Sequence, residues 1–148
     1  MRKKSIHIKW DLLGLRRLKR ISHYIESQFH KIITLNPSED EHIDRQLEIH
    51  FYDLEWMASR KPNRRLRRSH RKCKEQIDFF IKWRIWQKEY QKYKEAEADS
   101  LEEPENLEKL NDMLVQLTSL KRAMVFLKNY AHFKKVRIKT LEIQKELE

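Results

Sequence analysis

Residues 60–94 read RKPNRRLRRSHRKCKEQIDFFIKWRIWQKEYQKYK, and this stretch decides both the fold and the candidate site. Its apolar residues recur mainly at intervals of three and four, the spacing of one face of an α-helix. They are Leu66, Cys73, Ile77, Phe80, Trp83, Trp86, Tyr90 and Tyr93. We therefore expect one long helix over about residues 63–98, whose aromatic half packs against neighbouring helices.

The first 15 residues of this stretch contain nine Lys or Arg and no Asp or Glu. Such a run creates a positive field that attracts phosphate or an acidic surface. Six of the nine are arginines, whose planar guanidinium groups bind phosphate through paired hydrogen bonds. The predicted phosphate-binding residues are Arg60, Lys61, Arg64, Arg65, Arg67, Arg68, Arg71, Lys72 and Lys74.

A second basic segment lies in the first predicted helix, over about residues 11–35. Its buried face is predicted from helical spacing and consists of Leu18, Ile21, Ile25, Phe29 and Ile32. The other face adds four cations to the predicted interface, namely Arg16, Arg17, Lys19 and Arg20.

Prolines and capping residues divide the rest of the chain. Asn36-Pro37 ends the first helix, because proline lacks the amide donor and restricts the residue before it. Ser38 and Glu41 fit a capping box at the start of a second helix, over about residues 39–60. A final helix is predicted over about residues 104–146, with a heptad-like seam of Met113, Leu117, Leu120, Met124, Leu127 and Ala131.

These patterns predict an all-α fold with about four long helices in a single domain, residues 1–148, arranged as an antiparallel bundle or as elongated helical hairpins. The composition agrees, because the chain has one Gly and 38% charged residues against about 25% in typical domains. Two terminal stretches, SIHIKWDL and KVRIKTLEI, alternate apolar and polar residues, so a small terminal β pairing is the alternative for them.

The aromatic ladder Trp83, Trp86, Tyr90 and Tyr93 has two interpretations. Aromatic residues at steps of three and four normally pack against another helix, and we favour this interpretation. Because lysines and an arginine lie between these aromatic residues, a stacking platform for single-stranded nucleic acid is the alternative.

Arg64 and Arg65 precede His70 by six and five residues. This spacing resembles the R-x(4–6)-H motif of the HEPN ribonuclease superfamily, whose domains are also helical bundles. The resemblance implies that the arginine holds a phosphate and that His70 moves a proton. It covers only these residues, and the polar residue that usually follows the arginine is here Arg65 or Leu66.

Other functional classes lack their motifs. The sequence contains no P-loop, dinucleotide fingerprint, nucleophile elbow or zinc-ligand spacing, so we expect neither a cofactor nor a metal. The single cysteine, Cys73, indicates an intracellular, cytoplasmic protein, and no apolar run is long enough for a membrane partner.

We therefore predict a non-catalytic nucleic-acid-binding accessory protein, for DNA or RNA, within a larger nucleoprotein assembly. Acidic segments on either side of the basic stretch, over residues 36–59 and 95–112, would brace the basic helices or recruit a protein partner. The alternative is a helical interaction protein that docks on an acidic protein. A ribonuclease similar to the HEPN superfamily is the third hypothesis.

Overall fold

The computed structural model describes residues 2–34, 41–59, 64–99, 104–126 and 134–147, and all of them are helical. In chain order the five helices are α1 (Arg2–Thr34), α2 (Glu41–Ser59), α3 (Arg64–Asp99), α4 (Pro104–Phe126) and α5 (Lys134–Leu147). The predicted all-α fold class is confirmed for this part of the chain. The central element is α3, because it packs against α1, α2 and α4.

Local signals explain several helix ends. The last residue of α1, Thr34, lies shortly before Pro37. The first turn of α2 contains Glu41 and Asp44, whose carboxylates interact favourably with the positive end of the helix dipole. The first residue of α4 is Pro104, and proline favours this position because the amide it lacks would have no helical partner.

Helices α1 and α3 lie side by side and run in the same direction. Ser22 Oγ lies 3.4 Å from Cys73 Sγ, which are 51 residues apart in the chain. Further along, Trp83 Nε1 donates a hydrogen bond to the Ile33 carbonyl oxygen at 3.4 Å, and this pair is 50 residues apart. The nearly constant separation means that the two helices stay in register over this length.

Helix α2 runs antiparallel to α3. The His70 ring contacts the carbonyl oxygen of Leu54, whereas Arg84 hydrogen-bonds to Asp44 at 2.9 Å. Later residues of α3 therefore meet earlier residues of α2. Since α1 also contacts α2, the first three helices form an up-down-up bundle.

Hydrogen bonds from two glutamine side chains connect α5 to both α3 and α4. Gln76 donates a hydrogen bond to Thr140 Oγ1 at 3.2 Å. Gln144 donates to the Met124 carbonyl oxygen at 2.7 Å. All three side chains involved are buried, so these hydrogen bonds fix the position of α5 against α3 and the end of α4.

The core is formed by the faces that helical spacing predicts. Its buried residues in the first three helices include Leu18, Ile21, Ile25, Phe29, Ile32, Ile43, Leu47, Leu54, Met57, Leu66, Cys73, Ile77, Phe79 and Phe80. The predicted buried face of the first helix is thus confirmed in full. In the aromatic half of α3, Trp83 and Trp86 pack against this core as expected, whereas Tyr90 is exposed.

The predicted final helix over residues 104–146 is corrected to two helices, α4 and α5. Leu117 and Met124 of the predicted seam are buried, and Leu127 and Ala131 lie outside the described residues. Ile138 continues the seven-residue repeat beyond Met124 but is 56% exposed. The repeat does not extend into α5, because that helix packs through a different face.

The alternative terminal β pairing is wrong. Residues 6–12 belong to α1 and residues 136–143 belong to α5. An isolated pair of strands has little stability, whereas extending an existing helix adds one hydrogen bond for each residue that is fixed. The first helix accordingly begins at Arg2 rather than near residue 11.

Candidate nucleic-acid interface

Four exposed arginines share one face of α3 at its N-terminal end. Steps of three, one and three residues place them within about 100° of one another around the helix axis. We call these residues the arginine face: Arg64, Arg67, Arg68 and Arg71. Leu66, Cys73 and Ile77 are buried on the opposite side of α3, and their burial directs the arginine face away from the core.

The guanidinium groups of the arginine face have no protein partner among the described residues. The ion pairs found there involve other cations, and no hydrogen bond to these four side chains is present. Like charges three and four residues apart destabilise a helix by about 0.2–0.5 kcal/mol per pair. Within the described part of the chain, the positive charge of this face is therefore uncompensated, and a bound anion would neutralise it.

An open cleft of about 860 Å³ lies beside the arginine face. The described residues that line it are Arg64, Arg67, Arg68, Ser69 and Arg71. Ser69 is not among the predicted site residues, although its hydroxyl can hydrogen-bond to a phosphate. Ser69 lies about 100° around the helix axis from Arg68, so it borders the cleft beside the arginine face rather than lying on that face.

The other predicted cations of this stretch lie in different environments. Lys72 is half-buried, and Lys74 Nζ lies 5.6 Å from the centroid of a phenylalanine ring of α2. Arg65 belongs to the first turn of α3. Arg60 and Lys61 lie outside the described residues.

Three of the four cations predicted on the first helix are exposed. These are Arg16, Lys19 and Arg20. Arg17 is half-buried, and its guanidinium carbon lies 4.8 Å from the centroid of the Trp56 ring. This cation–π contact between α1 and α2 gives Arg17 a packing role that spacing alone does not reveal.

His70 lies on a different side of α3 from the arginine that precedes it by six residues. Six helical steps rotate a side chain by about 240°, so one continuous helix directs Arg64 and His70 apart. The ring is buried, with 8% of its surface exposed, and its Nε2 contacts the Leu54 carbonyl oxygen. An Nε2–H donor satisfies that contact, and this geometry gives His70 a structural hydrogen bond between α2 and α3.

The first two residues of the aromatic ladder, Trp83 and Trp86, are packed within the molecule, whereas Tyr90 is 39% exposed. Trp83 and Trp86 are stacked with ring centroids 5.7 Å apart, and Trp86 stacks on Tyr90 at 4.9 Å. Both tryptophans are partly buried against the core. The ring faces of these residues are therefore in contact with one another. This is consistent with the favoured core interpretation for Trp83 and Trp86.

A buried charge network joins α2 to the second half of α3. Arg84 is 1% exposed, and its Nε donates a hydrogen bond to Asp44 Oδ1 at 2.9 Å. Lys88 Nζ contacts the other oxygen of the same carboxylate. Asp44, in the acidic segment over residues 36–59, therefore braces the second half of α3.

The pKa values of Asp44 and Cys73 are shifted in opposite directions. Burial raises the pKa of Asp44, but hydrogen bonds and charges from Arg84 and Lys88 outweigh it and hold this pKa below its ordinary value. Burial raises the pKa of the Cys73 thiol, partly opposed by a hydrogen bond from Ser22. Cys73 therefore remains protonated and unreactive at neutral pH.

Neither a membrane-spanning helix nor a cluster of metal-binding side chains is found in the part of the chain that the structure describes. No helix there is long and apolar enough to cross a membrane, and no group of three or more His, Cys, Asp or Glu is placed to hold a metal ion.

The chain matches no protein-family model, no curated protein and no solved structure. The arginine face is therefore interpreted from its own geometry and charge.

Proposed function

We propose that the protein binds nucleic acid through phosphate contacts made by the arginine face and catalyses no reaction on it. The observation that carries this proposal is the set of four exposed guanidinium groups on one helix face, beside a cleft and without protein partners among the described residues. Arginine binds phosphate oxygens through charge-assisted, paired hydrogen bonds. A phosphate backbone supplies a row of such anions.

A non-catalytic role follows from the chemistry that the face offers. Guanidinium groups remain protonated at physiological pH and do not act as acids or bases. His70 is the nearest predicted proton carrier in the sequence, and it is buried against the Leu54 carbonyl oxygen. The face can bind and orient a phosphate but contains no group for proton transfer.

The proposal includes an accessory role within a nucleoprotein assembly. Exposed carboxylates on the last turns of α3 and on α4, such as Glu95, Glu97, Glu108 and Asp112, form an acidic region distinct in sequence from the arginine face. Such a region can recruit a basic protein partner while the arginine face holds nucleic acid. A cytoplasmic location is part of the proposal, because Cys73 is a buried free thiol.

The test is the affinity of the purified protein for fluorescently labelled DNA and RNA, measured by anisotropy at one salt concentration. The variant replaces Arg64, Arg67, Arg68 and Arg71 with Gln, which lowers the net charge from +10 to +6. We expect its affinity to fall at least about 100-fold, because four phosphate contacts are removed. Its helix content should persist, because Gln and Arg have similar helix propensities.

The matched control removes the same charge elsewhere. It replaces four exposed cations of α4 and α5 with Gln: Arg122, Lys135, Arg137 and Lys145. This control should change the affinity by less than about fivefold at the same salt concentration. Equal losses in the two variants would show attraction by net charge alone and would contradict a site at the arginine face. Tight binding to an acidic protein, with no affinity for either nucleic acid, would favour the alternative interaction protein.

A further inference from the structure

Helix α1 carries a second basic row with the same spacing as the arginine face. Its exposed residues also follow one another by three, one and three positions: Arg16, Lys19, Arg20 and His23. On the other side of α1, Ile21 and Ile25 are buried in the core. We call the three cations among these residues, Arg16, Lys19 and Arg20, the α1 basic row. This row faces away from the core, as the arginine face does.

The two rows lie at the same level of the bundle. A Cβ atom at Gly14 would lie 3.7 Å from Leu66 Cδ1, and Ser22 Oγ lies 3.4 Å from Cys73 Sγ. Because α1 and α3 run parallel and in register between these contacts, residues 16–20 lie level with about residues 68–71 of α3. The two basic rows therefore lie at the same level on two neighbouring, parallel helices.

The dimensions of the two rows match paired phosphate strands. Packed helices lie about 8–10 Å apart, and outward side chains place their charges further apart than the axes. That separation is comparable with the roughly 12 Å width of the B-DNA major groove. The arginine face spans about 10 Å along α3, which corresponds to about three successive phosphates of one strand, and the α1 basic row spans about 6 Å, which corresponds to about two. A duplex offers two such strands, whereas a single strand offers one.

A site for a single strand would need exposed rings on which bases stack, each worth about 1–3 kcal/mol. Among the described residues, the exposed aromatic side chains are Tyr52 and Tyr90. Tyr90 lies about 28 Å along α3 from Arg71. Tyr52 lies on α2 one helical turn from Glu48 and Glu55, both exposed, whose charges repel phosphate. Neither ring is placed to stack a base held at the arginine face.

We propose that the ligand is double-stranded nucleic acid, with one phosphate strand bound by the arginine face and the other by the α1 basic row. This inference rests on the proposed function, and it adds the strandedness of the ligand and a second row of contacts. DNA and RNA duplexes share the chemistry that is recognised. Contacts to phosphates position the duplex without reading its sequence.

The test compares a DNA duplex of about 20 base pairs, an RNA duplex of equal length and one isolated DNA strand, at one salt concentration. The variant replaces Arg16, Lys19 and Arg20 with Gln. We expect its affinity for at least one duplex to fall about tenfold or more, because contacts to the second strand are removed. Affinity for the isolated strand should fall less than about threefold, because the arginine face is intact.

A matched variant replaces Arg122, Arg137 and Lys145 with Gln and should weaken duplex binding less than about threefold. Equal losses on duplex and single strand in the α1 variant would overturn the duplex inference, and so would tighter binding of the single strand by the wild type. Either result would leave the proposed function standing. Absence of wild-type binding to all three probes would instead overturn the proposed function.

Discussion

Arg84 is 1% exposed, and its guanidinium group is held between α2 and α3 by the Asp44 carboxylate. Removing a guanidinium from water is costly, so this position is stable only while a carboxylate and its hydrogen bonds are present. The cations of the arginine face keep their contact with water and need no such partner. The difference in burial therefore distinguishes Arg84, which has a structural role, from the exposed arginines that are available to a ligand.

The first prediction concerns this buried pair. Asp44→Asn preserves the shape of the side chain but removes the carboxylate charge that faces Arg84 and Lys88, so the free energy of unfolding should fall by about 2–3 kcal/mol at neutral pH. The control is Asp78→Asn, because Asp78 pairs with Lys82 on the partly exposed side of α3. That control should cost less than about 1 kcal/mol. Urea denaturation followed by circular dichroism measures both values.

The same carboxylate links stability to pH. The pKa of Asp44 in the folded protein lies below its ordinary value of 3.8, so its contribution is present above that value and is lost as the pH falls through the folded pKa. Asp44→Asn should therefore show a weaker loss of stability on acidification below about pH 4 than the wild type. Identical pH profiles would mean that the Asp44 carboxylate does not stabilise the folded state.

His70 gives the second prediction. His70→Ala removes a buried ring and its hydrogen bond to the Leu54 carbonyl oxygen, so the free energy of unfolding should fall by about 2 kcal/mol. The folded variant should bind nucleic acid within about twofold of the wild type, because the arginine face is unchanged. Arg71→Ala should show the reverse, with weaker binding and nearly unchanged stability. The structural role would be contradicted if the wild type cleaved RNA and the His70→Ala variant lost this cleavage while its free energy of unfolding stayed unchanged.

At the scale of the elements, apolar spacing predicts most of the buried faces. Leu18, Ile21 and Ile25 of α1 are buried as the three-and-four pattern requires. The pattern does not reveal the boundary between two consecutive helices when no proline or glycine lies between them. For this reason the predicted helix over residues 104–146 covers both α4 and α5. The pattern also cannot place Gln76 and Thr140 in the core, because their burial depends on a hydrogen bond between residues distant in sequence.

Helix α4 provides the third prediction. Leu117 is 6% exposed on the seam, whereas Val115 is 63% exposed on the same helix. Leu117→Asp buries an unpaired charge and should lower the free energy of unfolding by more than about 3 kcal/mol. Val115→Asp changes an exposed position and should lower it by less than about 1 kcal/mol. Equal melting temperatures for the two variants would mean that Leu117 does not pack against the bundle.

At the scale of the whole molecule, charge composition predicts the basic region but not its geometry. The sequence places Arg64, Arg67, Arg68 and Arg71 among nine cations but does not distinguish them from Lys72 and Lys74. The half-burial of these two lysines depends on how the neighbouring helices pack. The parallel register of α1 and α3 is equally hidden, since it follows from contacts such as that of Ser22 with Cys73. Only the packed bundle aligns the arginine face with the α1 basic row.

The most direct test of the central claim is the salt dependence of duplex binding by the wild type and by the variant with Arg64, Arg67, Arg68 and Arg71 replaced by Gln. If the arginine face contacts phosphates, a plot of log affinity against log salt concentration should have a slope of about −4 to −6 for the wild type. The variant should lose about three to four units of that slope, because it removes four phosphate contacts and each contributes about 0.9. An unchanged slope and affinity in the variant would contradict a nucleic-acid interface at the arginine face.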